Sequence, residues 1–198
     1  NVENLTLSTT ANIDGTGNEL NNTLTGNAAA NTLNGLGGDD VIFGQAGNDT
    51  LIGGDGDDQL LGGDGDDTYQ LNLGDGQDLV VDNQGVNKIV FGAGIAKESL
   101  QLSQYQGVDG NYYLNITYGN LGDKVTIKNG LSGSIQTYQF ADGTSLTQAD
   151  LMQSANIPFD ISGTNNADII HTTNLDEQIQ AYAGNDEVHA GGGADHMD

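Results

Sequence analysis

The sequence contains no cysteine, no tryptophan and no arginine, a single proline, and only four lysines against 28 acidic residues. Without cysteine there are no disulfides and no thiolate metal sites, so a role outside the cell needs another staple. A net charge of −24 excludes ordinary nucleic-acid binding, which sets Lys and Arg against phosphate, and the same repulsion opposes anionic membranes. No apolar run approaches the length of a membrane-spanning helix, so no membrane insertion is expected, and residues 1–20 hold no charged-then-apolar leader. Glycine is abundant, at 31 residues, but has no three-residue period, which with the lone proline excludes collagen. The partner this composition implies is a cation.

The charge is uneven. Lys88, Lys97, Lys124 and Lys128 all lie between 83 and 159, where Glu98, Asp109, Asp123, Asp142 and Asp150 leave one negative charge in excess. The flanks hold the remaining acids and no base. An acidic, glycine-rich chain on both sides thus encloses a segment of ordinary globular composition.

Aligned on large apolar residues, the first flank reads Leu24, Leu33, Ile42, Leu51, Leu60 and Tyr69, each nine after the last. In that register the first position holds Gly17, Gly26, Gly35, Gly44, Gly53 and Gly62, and the fourth holds Gly38, Gly47, Gly56 and Gly65. The sixth holds Asn22, Asn31, Asp40, Asp49, Asp58 and Asp67, and a word lengthened by about two residues then brings Asp78 into the same place. The register returns near the other end, where Ile170, Ile179, Val188 and Met197 follow Asp168, Glu177, Asp186 and Asp195 by two residues. A repeat at this period is the mark of a solenoid.

"GGDGDDQLL" (53–61) and "GGDGDDTYQ" (62–70) resemble the G-G-x-G-x-D-x-U-x nonapeptides of the RTX (repeats-in-toxin) family at every defined position. The resemblance implies calcium binding at these words. The residues by themselves read the same way. Gly, Asp and Asn make a turn that uses positive φ, and "T-L-I" or "Q-L-L" makes a short strand with its middle side chain inward. Two words close a coil, so alternate words stack at the strand spacing of about 4.8 Å. That pairs Asp40 with Asp58, Asp49 with Asp67, and Asp58 with Asp78. Such carboxylate ladders are untenable empty. Several Ca2+ ions, each wanting six to eight oxygens, suit two carboxylates plus turn carbonyls. The expected metal ligands are Asp40, Asp49, Asp58, Asp67, Asp78, Asp168, Asp186 and Asp195, with Gly35, Gly44, Gly53 and Gly62 contributing backbone carbonyls. No loop supplies the twelfth-position glutamate of an EF-hand. His171 and His189 share the ninth position and are read as solvated rather than as a transition-metal pair, and His196, at a seventh position, changes little.

Between 83 and 159 the period gives way to alternating strand patterns, "NKIVFGAG" (87–94), "SLQLSQY" (99–105), "NYYLNITYG" (111–119), "DKVTIKNG" (123–130) and "SIQTYQFADG" (134–143). They are expected to form a small antiparallel sheet whose aromatics make its core. "GIAKES" reads as a helical turn, and Thr147 as the N-cap of a short helix over 148–154. The stretch "DKVTIKN…IQTYQFADGTSLTQADL" is similar to the haemolysin-type calcium-binding-related region that follows RTX arrays. Pro158 marks a boundary. The expected fold is all-β: a parallel β-roll of about three coils, interrupted by a small antiparallel β-rich region, then the start of a second β-roll. The corresponding domains are 1–82, 83–159 and 160–198. Both ends read as cut from a longer array.

The resemblance implies a calcium-binding structural and folding module of a large secreted or cell-surface protein that leaves the cell by a type I secretion apparatus and folds outside. RTX arrays also follow catalytic domains in proteases, lipases and alginate epimerases, and occur in adhesins that bind glycans or surfaces. H-E-x-x-H and G-x-S-x-G are both absent, and no catalytic set is found, so the module itself is expected not to be an enzyme.

Overall fold

The computed structural model describes residues 3–119, 121–130 and 134–155, and the strand backbones at 160–162, 169–171, 178–180, 187–189 and 196–197. Contacts divide the chain into two units, Asn1–Gln148 and Ala149–Asp198. In the first, ten short strands wind in sequence: β1 (Asn4–Thr6), β2 (Gly15–Asn18), β3 (Thr23–Thr25), β4 (Thr32–Gly37), β5 (Val41–Ala46), β6 (Thr50–Asp55), β7 (Gln59–Asp64), β8 (Thr68–Leu71), β9 (Gln77–Val81) and β10 (Asn87–Phe91). Odd strands stack in parallel in one sheet and even strands in the other, as expected when two nonapeptides close one coil.

The roll has about five turns rather than the three expected, because the winding continues where the Gly-Asp signature has faded. β2 stacks on β4, with Gly15 opposite Leu33, and β10 stacks on β8, with Ile89 opposite Tyr69. Each word sends a large apolar side chain inward from its eighth position, two to a coil. One row runs Leu24, Ile42, Leu60 and Val80, the other Leu33, Leu51, Tyr69 and Ile89. All eight are fully buried, each contributing about 1.5–3 kcal/mol of transfer free energy.

The segment beyond is partly antiparallel and partly a continuation of the roll. β11 (Gln101–Gln106), β12 (Tyr112–Tyr118) and β13 (Asp123–Lys128) form the expected antiparallel meander. β13 also pairs in parallel with β9, and β14 (Ile135–Phe140) pairs in parallel with β10, so the segment extends both sheets of the roll. Only β15 (Ser145–Thr147) returns antiparallel on β14. The strands at 87–91 and 135–140, expected in an antiparallel sheet, are therefore parallel rungs. Alternation fixes which face of a strand is buried but not which edge it joins, and the last coil leaves two open edges whose N–H and C=O groups need partners. Phe91 stacks on Phe140 at 5.3 Å and meets the edge of Tyr118 at 5.4 Å. Tyr105 and Tyr113 stack at 5.0 Å away from this core, with Tyr105 exposed. The helical turn falls at Lys97–Ser99, and helix α1 spans Gln148–Ala155.

In the second unit, β16 (Asp160–Ser162), β18 (Gln178–Gln180) and β20 (His196–Met197) stack in parallel, as do β17 (Ile169–His171) and β19 (Glu187–His189). The step is again two words: Ile161, Ile179 and Met197 align, and His171 aligns with His189.

Candidate metal centre

Within the roll, the sixth-position residues form two hydrogen-bonded columns. In the first, Oδ1 of Asp40 accepts the backbone N–H of Asn22 at 2.6 Å, Asp58 accepts that of Asp40 at 2.8 Å, and Asp78 accepts that of Asp58 at 3.2 Å. In the second, Asp49 accepts from Asn31 at 2.7 Å, Asp67 from Asp49 at 2.8 Å, and Asn87 from Asp67 at 2.8 Å. All of these side chains are buried. A nine-residue word places the same short acceptor at the same point of every turn, and parallel stacking turns that point into a column.

One oxygen of each carboxylate is thereby used. The other is not: Oδ2 of Asp40, Asp49, Asp58 and Asp67 is buried without a hydrogen-bond partner. These atoms lie beside the first-position glycines. A Cβ on Gly35 would overlap Asp40 Oδ2 and approach the Gly53 carbonyl oxygen to 2.5 Å, and one on Gly44 would lie 2.5 Å from both Asp49 Oδ2 and the Gly62 carbonyl oxygen. The carbonyls of Gly35 and Gly44 face the preceding turn at Gly17 and Gly26 in the same way. The cradles at Gly35 and Gly44 thus each bring together a carboxylate oxygen and a carbonyl oxygen of the next turn, with glycine because no side chain fits there. At Gly56, in the fourth position, φ is +145°, a value that L-residues avoid.

The columns are electrostatically uneasy. Burial pushes Asp49 and Asp58 up to about 7, Asp67 to about 6 and Asp78 to about 8, and raises Asp40 as well. The N–H donors pull the other way, while Asp40 acts on Asp58 and Asp58 on Asp78 as neighbouring like charges. The two ion pairs among the described residues, Lys97 with Glu98 and Lys128 with Asp109, lie off the columns.

The ends of the columns are neutral. Asn31 Nδ2 donates to the Ile13 carbonyl at 2.7 Å, so an amide replaces the charge at the start of the roll. At the far end Val125 stands opposite Asp78, and Ile135 opposite Asn87, both fully buried.

Several buried polar groups near the columns were not legible in the sequence. Asp75, Asp82 and Asp123 are buried; Asp75 accepts the N–H of Asn72 at 2.6 Å, and Asp123 that of Gly74 at 3.0 Å. The Tyr118 hydroxyl is buried without a hydrogen-bond partner. Fifth-position side chains make an outer column, with Asp39 accepting from Asp57 at 3.1 Å and Asp57 from Gln77 at 2.9 Å. Asn87 and Ile89 could have been found, being nine after Asp78 and Val80. Asp168, Asp186 and Asp195 lie outside the described residues.

Among the described residues, no three acidic or histidine side chains converge as a metal cluster. The donors are instead carboxylate and carbonyl oxygens. An all-oxygen set in turns that glycine lets curl inward fits a large hard cation such as Ca2+, and offers none of the nitrogen or sulfur that zinc favours.

The model of the RTX calcium-binding nonapeptide repeat matches four times, at residues 16–51, 36–69, 43–80 and 171–198. The chain carries RTX calcium-binding nonapeptide repeats. In this RTX chain, residues 114–150 also match the haemolysin-type calcium binding protein related domain, which covers β13 and β14, the strands that close the roll. Among solved structures, it is similar to the AlgE6R3 subunit of the Azotobacter vinelandii mannuronan C5-epimerase, with 25% identity, 72% of this chain and 83% of that one covered, and a TM-score of 0.42. It is also similar to the extracellular lipase LipA of Serratia marcescens, with 16% identity, 96% and 28% coverage, and a TM-score of 0.26. No curated protein sequence matches it significantly.

Proposed function

We propose that the roll is a calcium-driven folding element of a larger protein that is exported by type I secretion and folds outside the cell. The observation that carries this reading is the row of buried Oδ2 atoms, in Asp40, Asp49, Asp58 and Asp67, left without hydrogen-bond partners beside the first-position glycines, with a glycine carbonyl of the next turn at the same point for Asp40 and Asp49. A buried, unpaired carboxylate opposes folding. Without calcium the charge of the columns keeps the chain extended, which suits passage through a secretion channel; calcium then reverses the sign of the same term. Asp40, Asp58 and Asp78 would hold ions along one side, Asp49 and Asp67 along the other, with Gly35, Gly44, Gly53 and Gly62 giving carbonyls. Bound Ca2+ supplies the positive charge that the sequence lacks.

The role is structural rather than catalytic. Within residues 83–159, β13 and β14 serve as a cap, in which Val125 and Ile135 end the polar columns with aliphatic side chains. Residues 160–198 begin a second roll, and Asp168, Asp186 and Asp195 are its ligands.

Circular dichroism of the full chain during a calcium titration from chelator tests the reading, with calorimetry to count ions. Cooperative gain of β-structure with several ions bound is expected. Equal folding in chelator, or in millimolar Mg2+, which demands a tighter octahedron, would contradict it.

A further inference from the structure

Asp82 breaks the repeat. Leu60 and Leu61 pair with Val80 and Val81, so Asp82 stands one turn above Gly62, where the earlier turns of that side place Gly26, Gly44 and Gly62 themselves. Its side chain is buried. Oδ2 accepts the Tyr69 hydroxyl at 2.6 Å, and Oδ1 accepts the backbone N–H of Gln84 at 3.1 Å. The Tyr69 hydroxyl in turn accepts the backbone N–H of Gly62 at 3.0 Å. Tyr69 holds the eighth position, which is Leu or Ile in the five words before it. A longer inward side chain therefore reaches the column and fixes one carboxylate in it.

Asp67 faces the same point. A Cβ on Gly62 would overlap both Asp67 Oδ2 and the Tyr69 hydroxyl, and would lie 2.6 Å from Asp82 Oδ2. Asp67 is 1% exposed, and its Oδ2 has no hydrogen-bond partner. Tyr69 cannot supply one, since a phenol has a single proton and this one goes to Asp82. Lys88, six residues beyond Asp82, is exposed, and neither carboxylate is in an ion pair. Two buried carboxylates thus converge on one point, and one of the converging oxygens has nothing to bind.

We propose that Asp67 and Asp82 hold a divalent hard cation at the end of the roll, in a site that differs from those of the repeat because a carboxylate takes the place of the glycine carbonyl. Tyr69 is the positioning residue for this site: it aims Asp82 and is itself held by the Gly62 N–H. The two-carboxylate site lies where the repeat gives way to the strands that close the roll, so filling it fastens the last coil, β9 and β10, onto the coil below. The inference rests on the reading of the roll as calcium-binding and adds one ion to it.

The test uses the full chain with CaCl2 as the probe, counting bound ions by calorimetry and native mass spectrometry. Asp82→Asn keeps one oxygen to accept the Tyr69 hydroxyl but removes the charge and the second acceptor, which takes the Gln84 N–H, and is expected to bind one ion fewer than wild type while the other sites titrate unchanged. Tyr69→Phe keeps the ring in the apolar row and is expected to weaken one ion by about tenfold, the cost of losing an outer hydrogen bond to a ligand. An unchanged count in Asp82→Asn would overturn the proposal and leave the two carboxylates sharing a proton. If Asp82→Asn does not reach the wild-type spectrum in saturating calcium, Tyr69→Phe decides, and unaltered affinities there would overturn it equally. A wild-type chain that binds no calcium would instead sink the reading on which the inference rests.

Discussion

Asp58 accepts the backbone N–H of Asp40 through Oδ1 at 2.8 Å and keeps Oδ2 buried without a partner. One carboxylate thus ties two coils together and, on the proposed reading, has an oxygen left for a cation. Asp58 also donates its own N–H to Asp78, and Asp78 is followed in the column by Val125. Asp58→Ala should raise the calcium midpoint for folding by about an order of magnitude, and by more than Asp78→Ala, because an interior rung borders a carboxylate on either side. Asp109→Ala, off the columns, should leave the midpoint unchanged. Circular dichroism titrations of the three variants check this.

If the columns hold calcium as proposed, proton and calcium compete for these oxygens. An aspartate buried without a cation has a folded pKa above its unfolded value of about 3.9, and Asp49 and Asp58 reach about 7, Asp78 about 8. Between those values the folded chain binds more protons than the unfolded one, so stability without calcium is greatest below pH 4 and is lost as pH rises through 7 to 8. In calcium the sense reverses, and the calcium midpoint should rise as pH falls from 8 to 6, with protons released on binding. Ellipticity against pH, with chelator and with calcium, reads both.

The aliphatic ends of the columns are expected to matter more for their polarity than for their size. Val125→Ala removes two methyl groups from a fully buried site and should cost about 1–3 kcal/mol. Val125→Asp places a further carboxylate beside Asp78 with no second rung to share a cation, and should cost more. Urea unfolding in saturating calcium separates the two.

Glycines with similar dihedral sign should differ in tolerance. Gly110 has φ +79° and open space around its missing Cβ, so Gly110→Ala should cost about 1–2 kcal/mol, the left-handed penalty alone. Gly56 has φ +145°, and a Cβ there would overlap the Gly38 carbonyl. Gly56→Ala should therefore destabilise the roll by more than Gly110→Ala and raise the calcium midpoint as well. The same urea and calcium titrations measure it.

The nine-residue period determined the winding of the roll and the register of its columns. Each word stacks on the word two later, so Asp40 meeting Asp58 and Asp49 meeting Asp67 follow from local geometry repeated, without knowledge of any distant contact. It also determined the choice of oxygen over nitrogen or sulfur, since the words offer little besides Asp, Asn, Gly and backbone. Tertiary structure alone decided where the columns end. Val125 is placed opposite Asp78 by strands 47 residues apart in sequence, and Ile135 opposite Asn87 in the same manner; period-two alternation states which face is buried and is silent on the partner. Tertiary structure likewise decided that Asp82 turns inward, because a lone aspartate after a strand reads as a turn residue until the coil below places Gly62, Asp67 and Tyr69 beneath it. A repeat carries its neighbours' positions within its own period, whereas a closing strand finds its partner only through the open edge left by all the coils before it.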